Sequence, residues 1–163
     1  MNGRSIPLEL KHPLFFIEND WTFELKEKEE RLPFYYEMQA NCEELDIAPW
    51  DDPAEFMMNY FNGWEKVDDA LAELFASRRK SKAKIEMIFQ IGYFLEALFW
   101  MNDKRACPGV WEERYDDLPI TPVNGKERIK YLLDKPDHYI AFIQLRKLIE
   151  EMHKKWEVSK ITR

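Results

Sequence analysis

Residues 85–101 read IEMIFQIGYFLEALFWM. Wound as a helix, this run is apolar around most of its circumference, so it must be covered on all sides by other elements. A membrane would also cover it. A span, however, takes about 20 predominantly apolar residues, whereas this run has 17 and carries Glu86 and Glu96. The sequence therefore predicts a buried central helix in a helical bundle.

The flanking segments can supply that cover. Residues 1–19 read as an extended arm, because Pro7 and Pro13 break helices, with Leu14, Phe15, Phe16 and Ile17 as its anchors. Asn19 or Asp20 is positioned to cap a short charged helix through Trp21, Leu25 and Lys28. After Pro33, residues Phe34, Tyr35, Met38, Cys42 and Leu45 share one face of a helix near 34–45, which puts the Cys42 thiol in the core. Asp52-Pro53-Ala54-Glu55 has the pattern of a capping box opening a helix over 53–76. Its predicted apolar face is Phe56, Tyr60, Trp64, Val67, Leu71, Leu74 and Phe75. A basic link at 77–84 leads into the central helix, which Asn102 and Asp103 end.

Residues 103–121 contain Pro108, Gly109 and Pro119 and read as irregular, with a short turn at 111–115. Asn124 and Gly125 then open a short helix carrying Ile129, Leu132 and Leu133. Pro136 begins the last long helix, whose apolar face holds Tyr139, Phe142, Leu145, Leu148, Ile149, Met152 and Trp156. Residues 158–163 read as a frayed tail. The expected fold class is all-α: an irregular bundle of five or six helices around a central helix at about 85–101, in a single domain over 1–163. Five glycines in 163 residues weigh against a turn-rich β-sandwich. Two cysteines, with no CxxC, imply no disulfide framework. The N-terminal residues lack the long apolar core of a signal peptide, so the expected compartment is the cytoplasm.

Candidate chemistry is sparse. Glu96 falls on an otherwise apolar face of the central helix, where a carboxylate must be paired or protonated. Arg146, at the edge of the last helix's apolar face, is its expected partner, in a pair that fixes helix register. The competing reading is a perturbed acid in a cleft. Glu150-x-x-His153 has the spacing of one half of a di-iron carboxylate site, but such a site needs two motifs and further carboxylates. The other match, Glu9-x-x-His12, runs into Pro13. His12 and His138 read as capping or packing residues. Cys107 lies in a loop beside Lys104 and Arg105, which would favour a thiolate if the thiol is exposed. No phosphate-binding loop, dinucleotide fingerprint or nucleophile elbow is present, and no cofactor is expected.

Charge is polarised. Residues 1–77 carry a net charge of -12, residues 78–125 a net of +1 and residues 126–163 a net of +4. Arg78, Arg79, Lys80, Lys82 and Lys84 concentrate five cations in seven residues. Such a run binds phosphate by counterion release, and it is equally what a solvated link looks like. Tyr36, Trp50 and Trp111 fall off the predicted core faces and are candidates for an exposed partner-binding patch.

The arm with His12-Pro13-Leu14-Phe15, the Pro33-Phe34-Tyr35-Tyr36 and Pro49-Trp50 segments, and Leu98-Phe99-Trp100-Met101-Asn102 together resemble the YpoC family of small helical proteins from Bacillus-type bacteria. The resemblance spans most of the chain. It implies a cytoplasmic helical protein and carries over no catalytic or binding residue. Genes of that family often lie beside DNA-repair and cell-wall-synthesis genes, which points to a macromolecular partner.

The leading expectation is a non-enzymatic interaction module for another protein, using Tyr36, Trp50 and Trp111 with the basic link at 78–84. The alternative is a nucleic-acid accessory protein using Arg78, Arg79, Lys80, Lys82 and Lys84, in one basic stripe with Lys154 and Lys155. The third is a small metal-dependent enzyme, for which Glu96, Glu150 and His153 would have to converge.

Overall fold

The structure, a computed structural model, describes residues 4–16, 20–21, 32–42 and 48–162. Six α-helices account for most of them: α1 Tyr35–Cys42, α2 Ala54–Ala76, α3 Lys80–Trp100, α4 Trp111–Tyr115, α5 Gly125–Asp134 and α6 Tyr139–Thr162. A single 3₁₀ turn, Pro108–Val110, precedes α4. Two-residue strands β1 Arg4–Ser5 and β2 Asp20–Trp21 pair antiparallel, Arg4 opposite Trp21. The fold is all-α, with α3 at its centre.

The helix α3 behaves as its sequence requires. Every residue from Phe94 to Trp100 is buried, as are Met87, Ile91 and Gly92. A tight turn of Ser77, Arg78 and Arg79 makes α2 and α3 an antiparallel pair, so Phe56 near the start of α2 meets Trp100 at the end of α3. Arg78 turns the chain in the left-handed region, φ 57°. The Arg79 N–H bonds the Leu74 carbonyl, closing α2 in a Schellman arrangement. Asp103, φ 60°, repeats the device at the end of α3 with Lys104 N–H on the Phe99 carbonyl. Asn102 then receives the Ile120 N–H and donates to the Ile120 and Leu98 carbonyls, tying the irregular segment to α3.

The helix α6 covers the other side, antiparallel to α2. Phe75 stacks on Phe142 at one end and Phe61 on His153 at the other. Its predicted face is buried from Phe142 to Trp156, but Tyr139 is exposed.

Several expectations are corrected. The central helix starts at Lys80, so most of the basic link is its first turn and a half. The capping box before α2 does not form, since no side chain caps that end. The α2 face is wider than its sequence arc, because α3 and α6 pack on two sides of it and bury Met57 and Phe61 as well. The last helix begins at Tyr139 rather than Pro136, and its end is helical to Thr162, with Ser159 buried and its hydroxyl donated to the Trp156 carbonyl. Asp20–Trp21 is strand rather than the start of a helix; Leu25, Lys28, Ile17, Leu45 and the Cys42 side chain lie outside what is described.

The arm docks through Ile6 and Leu10 against Met38, with Phe15 and Phe16 against Phe34. Two glycines permit this. A Cβ on Gly109 would lie 2.2 Å from the Leu8 carbonyl oxygen, and one on Gly92 would lie 2.7 Å from Pro33 Cβ. In an exposed helix, Gly→Ala gains about 1 kcal/mol. At Gly92 the methyl would meet a proline ring held by the chain on both sides, and overpacking of this kind typically costs about 1–3 kcal/mol. Gly92→Ala is therefore expected to lower stability despite its better helix propensity, read as a lower urea midpoint with an unchanged slope. A higher midpoint would show that Pro33 yields freely.

Candidate functional site

Glu96 lies one turn after Gly92, fully buried. Its Oε2 accepts the Phe34 N–H at 2.7 Å. Phe34 is the residue from which α1 starts: its carbonyl accepts the first helical bond, from Met38 N–H. A carboxylate from α3 thus stands at the positive end of α1, where anions are favoured. It also fixes Phe34 in the left-handed region, φ 67°, which a bulky residue seldom adopts.

A second buried carboxylate answers from the opposite direction. Glu37 on α1 accepts the Trp100 indole N–H at 2.7 Å and the Ala106 N–H at 3.2 Å, both on Oε2. Its Oε1 is buried without a hydrogen-bond partner among the described residues. Burial first, and the charge of Glu96 second, raise the Glu37 carboxyl to about 7, against the effect of its two donors.

Beside this pair, α2 and α3 leave a cavity of about 260 Å³. From α2 come Phe56, Met57, Asn59 and Tyr60; from α3 come Tyr93, Glu96, Ala97 and Trp100. Among the described residues, the Tyr60 hydroxyl and the Trp64 indole N–H are buried without hydrogen-bond partners. Burial, and then Glu96, push the Tyr60 phenol upward, so it stays protonated at neutral pH. Tyr36, Phe56 and Trp100 meet edge to face in all three pairings, with centroids 5.5–5.9 Å apart and interplanar angles of 71–78°.

The structure redistributes the residues singled out from sequence. Arg146 does not serve Glu96: its guanidinium takes the Asp68 carboxylate at 2.8 and 3.0 Å and lies over the Phe142 ring. The ion pair that Arg146 makes, Asp68–Arg146, joins α2 to α6. Trp111 is buried against Tyr115 rather than exposed. Tyr36 and Trp50 are half-buried, Trp50 beneath the Arg105 guanidinium. Arg78, Arg79, Lys80, Lys82 and Lys84 are exposed, but at the far end of α3 from Trp100, about 30 Å away at 1.5 Å per residue. The aromatic and basic halves of the expected surface are therefore separate. Lys154 and Lys155 sit toward the Phe61 end of α2, so the basic stripe is interrupted.

Glu150 and His153 are exposed on α6, His153 stacked on Phe61 and beside Glu157, and neither meets Glu96. Among the described residues no three His, Cys, Asp or Glu side chains gather as a metal site. Burial pushes the Cys107 thiol to about 12, which suppresses the thiolate that its sequence neighbours suggested. Sequence reasoning missed Glu37, Asn59, Tyr60 and Tyr93. Glu37 left one trace, since on the α1 wheel it falls within about 60° of Phe34, and Tyr60 was placed only as a core residue of α2.

An all-α protein with a closed central helix and two interlocked carboxylates is the class this geometry defines. The chain belongs to the YpoC-like protein family, whose profile it matches over residues 54–163. The protein described as "Uncharacterized protein YpoC" from Bacillus subtilis strain 168 is 32% identical over 124 residues, covering 75% of this chain and 74% of that one. No solved structure matches. The family match opens at the first residue of α2, so it includes every residue lining the cavity. No described helix is long and apolar enough to cross a membrane.

The buried acids give a pH signature. A carboxyl raised from 4.5 to about 7 on folding holds its proton longer in the native state than in the unfolded chain. The contribution of Glu37 to stability then falls as pH rises between those values and levels off above. Glu37→Gln keeps one oxygen for both N–H donors and cannot ionise. It is expected to match the wild type near pH 5 and to exceed it by on the order of 3 kcal/mol near pH 8, compared by urea unfolding across that range. A difference that does not change with pH would mean that Glu37 is ionised throughout.

Proposed function

We propose that this chain is a non-enzymatic interaction module of the cytoplasm that docks another protein in the cleft between α2 and α3. The observation that carries this is the cavity itself. It is walled by Phe56, Tyr93 and Trp100, opens past the exposed Asn59, and holds a Tyr60 hydroxyl with no hydrogen-bond partner among the described residues. Aromatic walls with one polar group awaiting a bond are what interface anchors fill. At about 260 Å³ the cavity is smaller than the roughly 300–1,000 Å³ of small-molecule sites. It has the scale of one inserted side chain. Reaction chemistry is poorly served there, because the Tyr60 phenol is held protonated and Glu96 is engaged by the Phe34 N–H.

Nucleic-acid binding through the exposed cations at 78–84 has less support. That reading requires a one-sided stripe continuing into Lys154 and Lys155, and those lysines lie about 25 Å away along the bundle, by helical rise.

Asn59→Trp fills the cleft from an exposed rim position, and Arg78→Glu/Arg79→Glu/Lys80→Glu reverses the basic turn. In affinity capture from a Bacillus-type lysate, read by mass spectrometry, the wild type and the charge-reversed variant should retain the same nuclease-resistant partner and Asn59→Trp should lose it. Retention by Asn59→Trp sinks the cleft reading. Partners that disappear with nuclease and with charge reversal move the function to nucleic acid.

A further inference from the structure

We infer that the α2–α3 cleft selects a cation, and that its occupant is an arginine side chain presented by a basic segment of the partner protein. This rests on the cleft being the docking site and specifies what enters it. Phe56, Tyr93 and Trp100 put three aromatic rings in the wall of the cavity. The faces of such rings carry the negative part of the aromatic quadrupole and attract ammonium and guanidinium groups. Phe56 and Trp100 line the cavity, and the Glu96 carboxylate forms part of its wall.

The remaining features agree in sign. The Tyr60 hydroxyl, buried and without a partner, supplies an oxygen to accept an N–H. Asp51, Asp52 and Glu55 are exposed on the turn and first helical residues before Phe56. Among the described residues no cation lines the cavity. An anion would face Glu96 in the cavity wall. A neutral apolar group would leave the Tyr60 hydroxyl unsatisfied and strip water from the cleft without compensation. Among cations, the planar guanidinium stacks on rings and presents five N–H donors, whereas an ammonium is more strongly hydrated and presents three. Arginine therefore fits better than lysine.

The test is a titration of the intact protein with N-acetyl-arginine methylamide and, separately, with the citrulline analogue, which has nearly the same shape and no charge. The indole N–H resonance of Trp100 reports occupancy of the cleft. Saturable binding of the arginine compound at millimolar concentration is expected, with the citrulline compound about tenfold weaker or more. Asn59→Trp should weaken the arginine compound by a similar factor, and so should Glu96→Gln, which preserves an acceptor for the Phe34 N–H. Because Asn59 is an exposed rim residue, its variant keeps the test decisive if the buried substitution unfolds the chain. Equal affinity for the two compounds overturns the cation assignment while leaving the cleft as a docking site. No shift at Trp100 with the arginine compound overturns it too. Loss of docking itself would appear separately, as partner capture unaffected by Asn59→Trp.

Discussion

The bond from the Phe34 N–H to Glu96 is the constraint around which this fold is arranged. A helix buried on every side can tolerate a carboxylate only if other groups come to it. Here α1 brings its own N-terminus, whose first N–H groups have no partners within the helix. One bond therefore serves two needs. The approach depends on the missing side chain at Gly92, since a methyl there would collide with Pro33. Glu37 closes the arrangement by reaching from α1 to the Trp100 indole and the Ala106 N–H. Each of the two helices sends a carboxylate to the other, and the loop after α3 is held by the same group. The resulting proximity of two acids is unfavourable, and it is why Glu37 is raised.

The cleft follows from the same packing. Along the end of α3, large residues alternate with Ala97, while α2 presents Phe56 and Tyr60 opposite. A small residue facing rings that cannot fold into the gap leaves space beside Glu96. Interiors normally fill such space, and buried hydroxyls normally find partners. Here neither rule is met at Tyr60. Departures from local rules that gather at one place are the usual mark of a site shaped for something outside the fold.

The buried central helix and the main surrounding helices were legible because they depend on periodicity, which the chain carries locally. Phe142 through Trp156 on α6 and the stop at Asn102–Asp103 show this. Partner choice was not legible. Arg146 and Glu96 each looked in need of an opposite charge, yet α6 lies antiparallel to α2 and brings Arg146 to Asp68 instead. Trp111 lay off every predicted face because the segment carrying it had no predicted helix, and tertiary packing buried it. Tyr60 was correctly placed on the packed side of α2, but its orphaned hydroxyl depends on how α3 lies against it. Phe56, Tyr60 and Trp100 were thus visible as core, and the cavity among them was not.

The polarised charge of the chain takes on a geometric meaning in this fold. Because α2 and α3 are antiparallel, the acidic rim before Phe56 and the basic turn at 78–84 occupy opposite ends of one helical pair, about 30 Å apart. At physiological ionic strength fields decay over about 8 Å. The two ends therefore neither neutralise each other nor form one recognition surface, and each meets solvent as an independent patch. The rings and the acids lie at the same end, so local electrostatics and local shape agree at the cleft. At the basic turn, charge stands alone on exposed side chains. Shape and charge together restrict a partner's geometry, whereas charge alone only raises its local concentration.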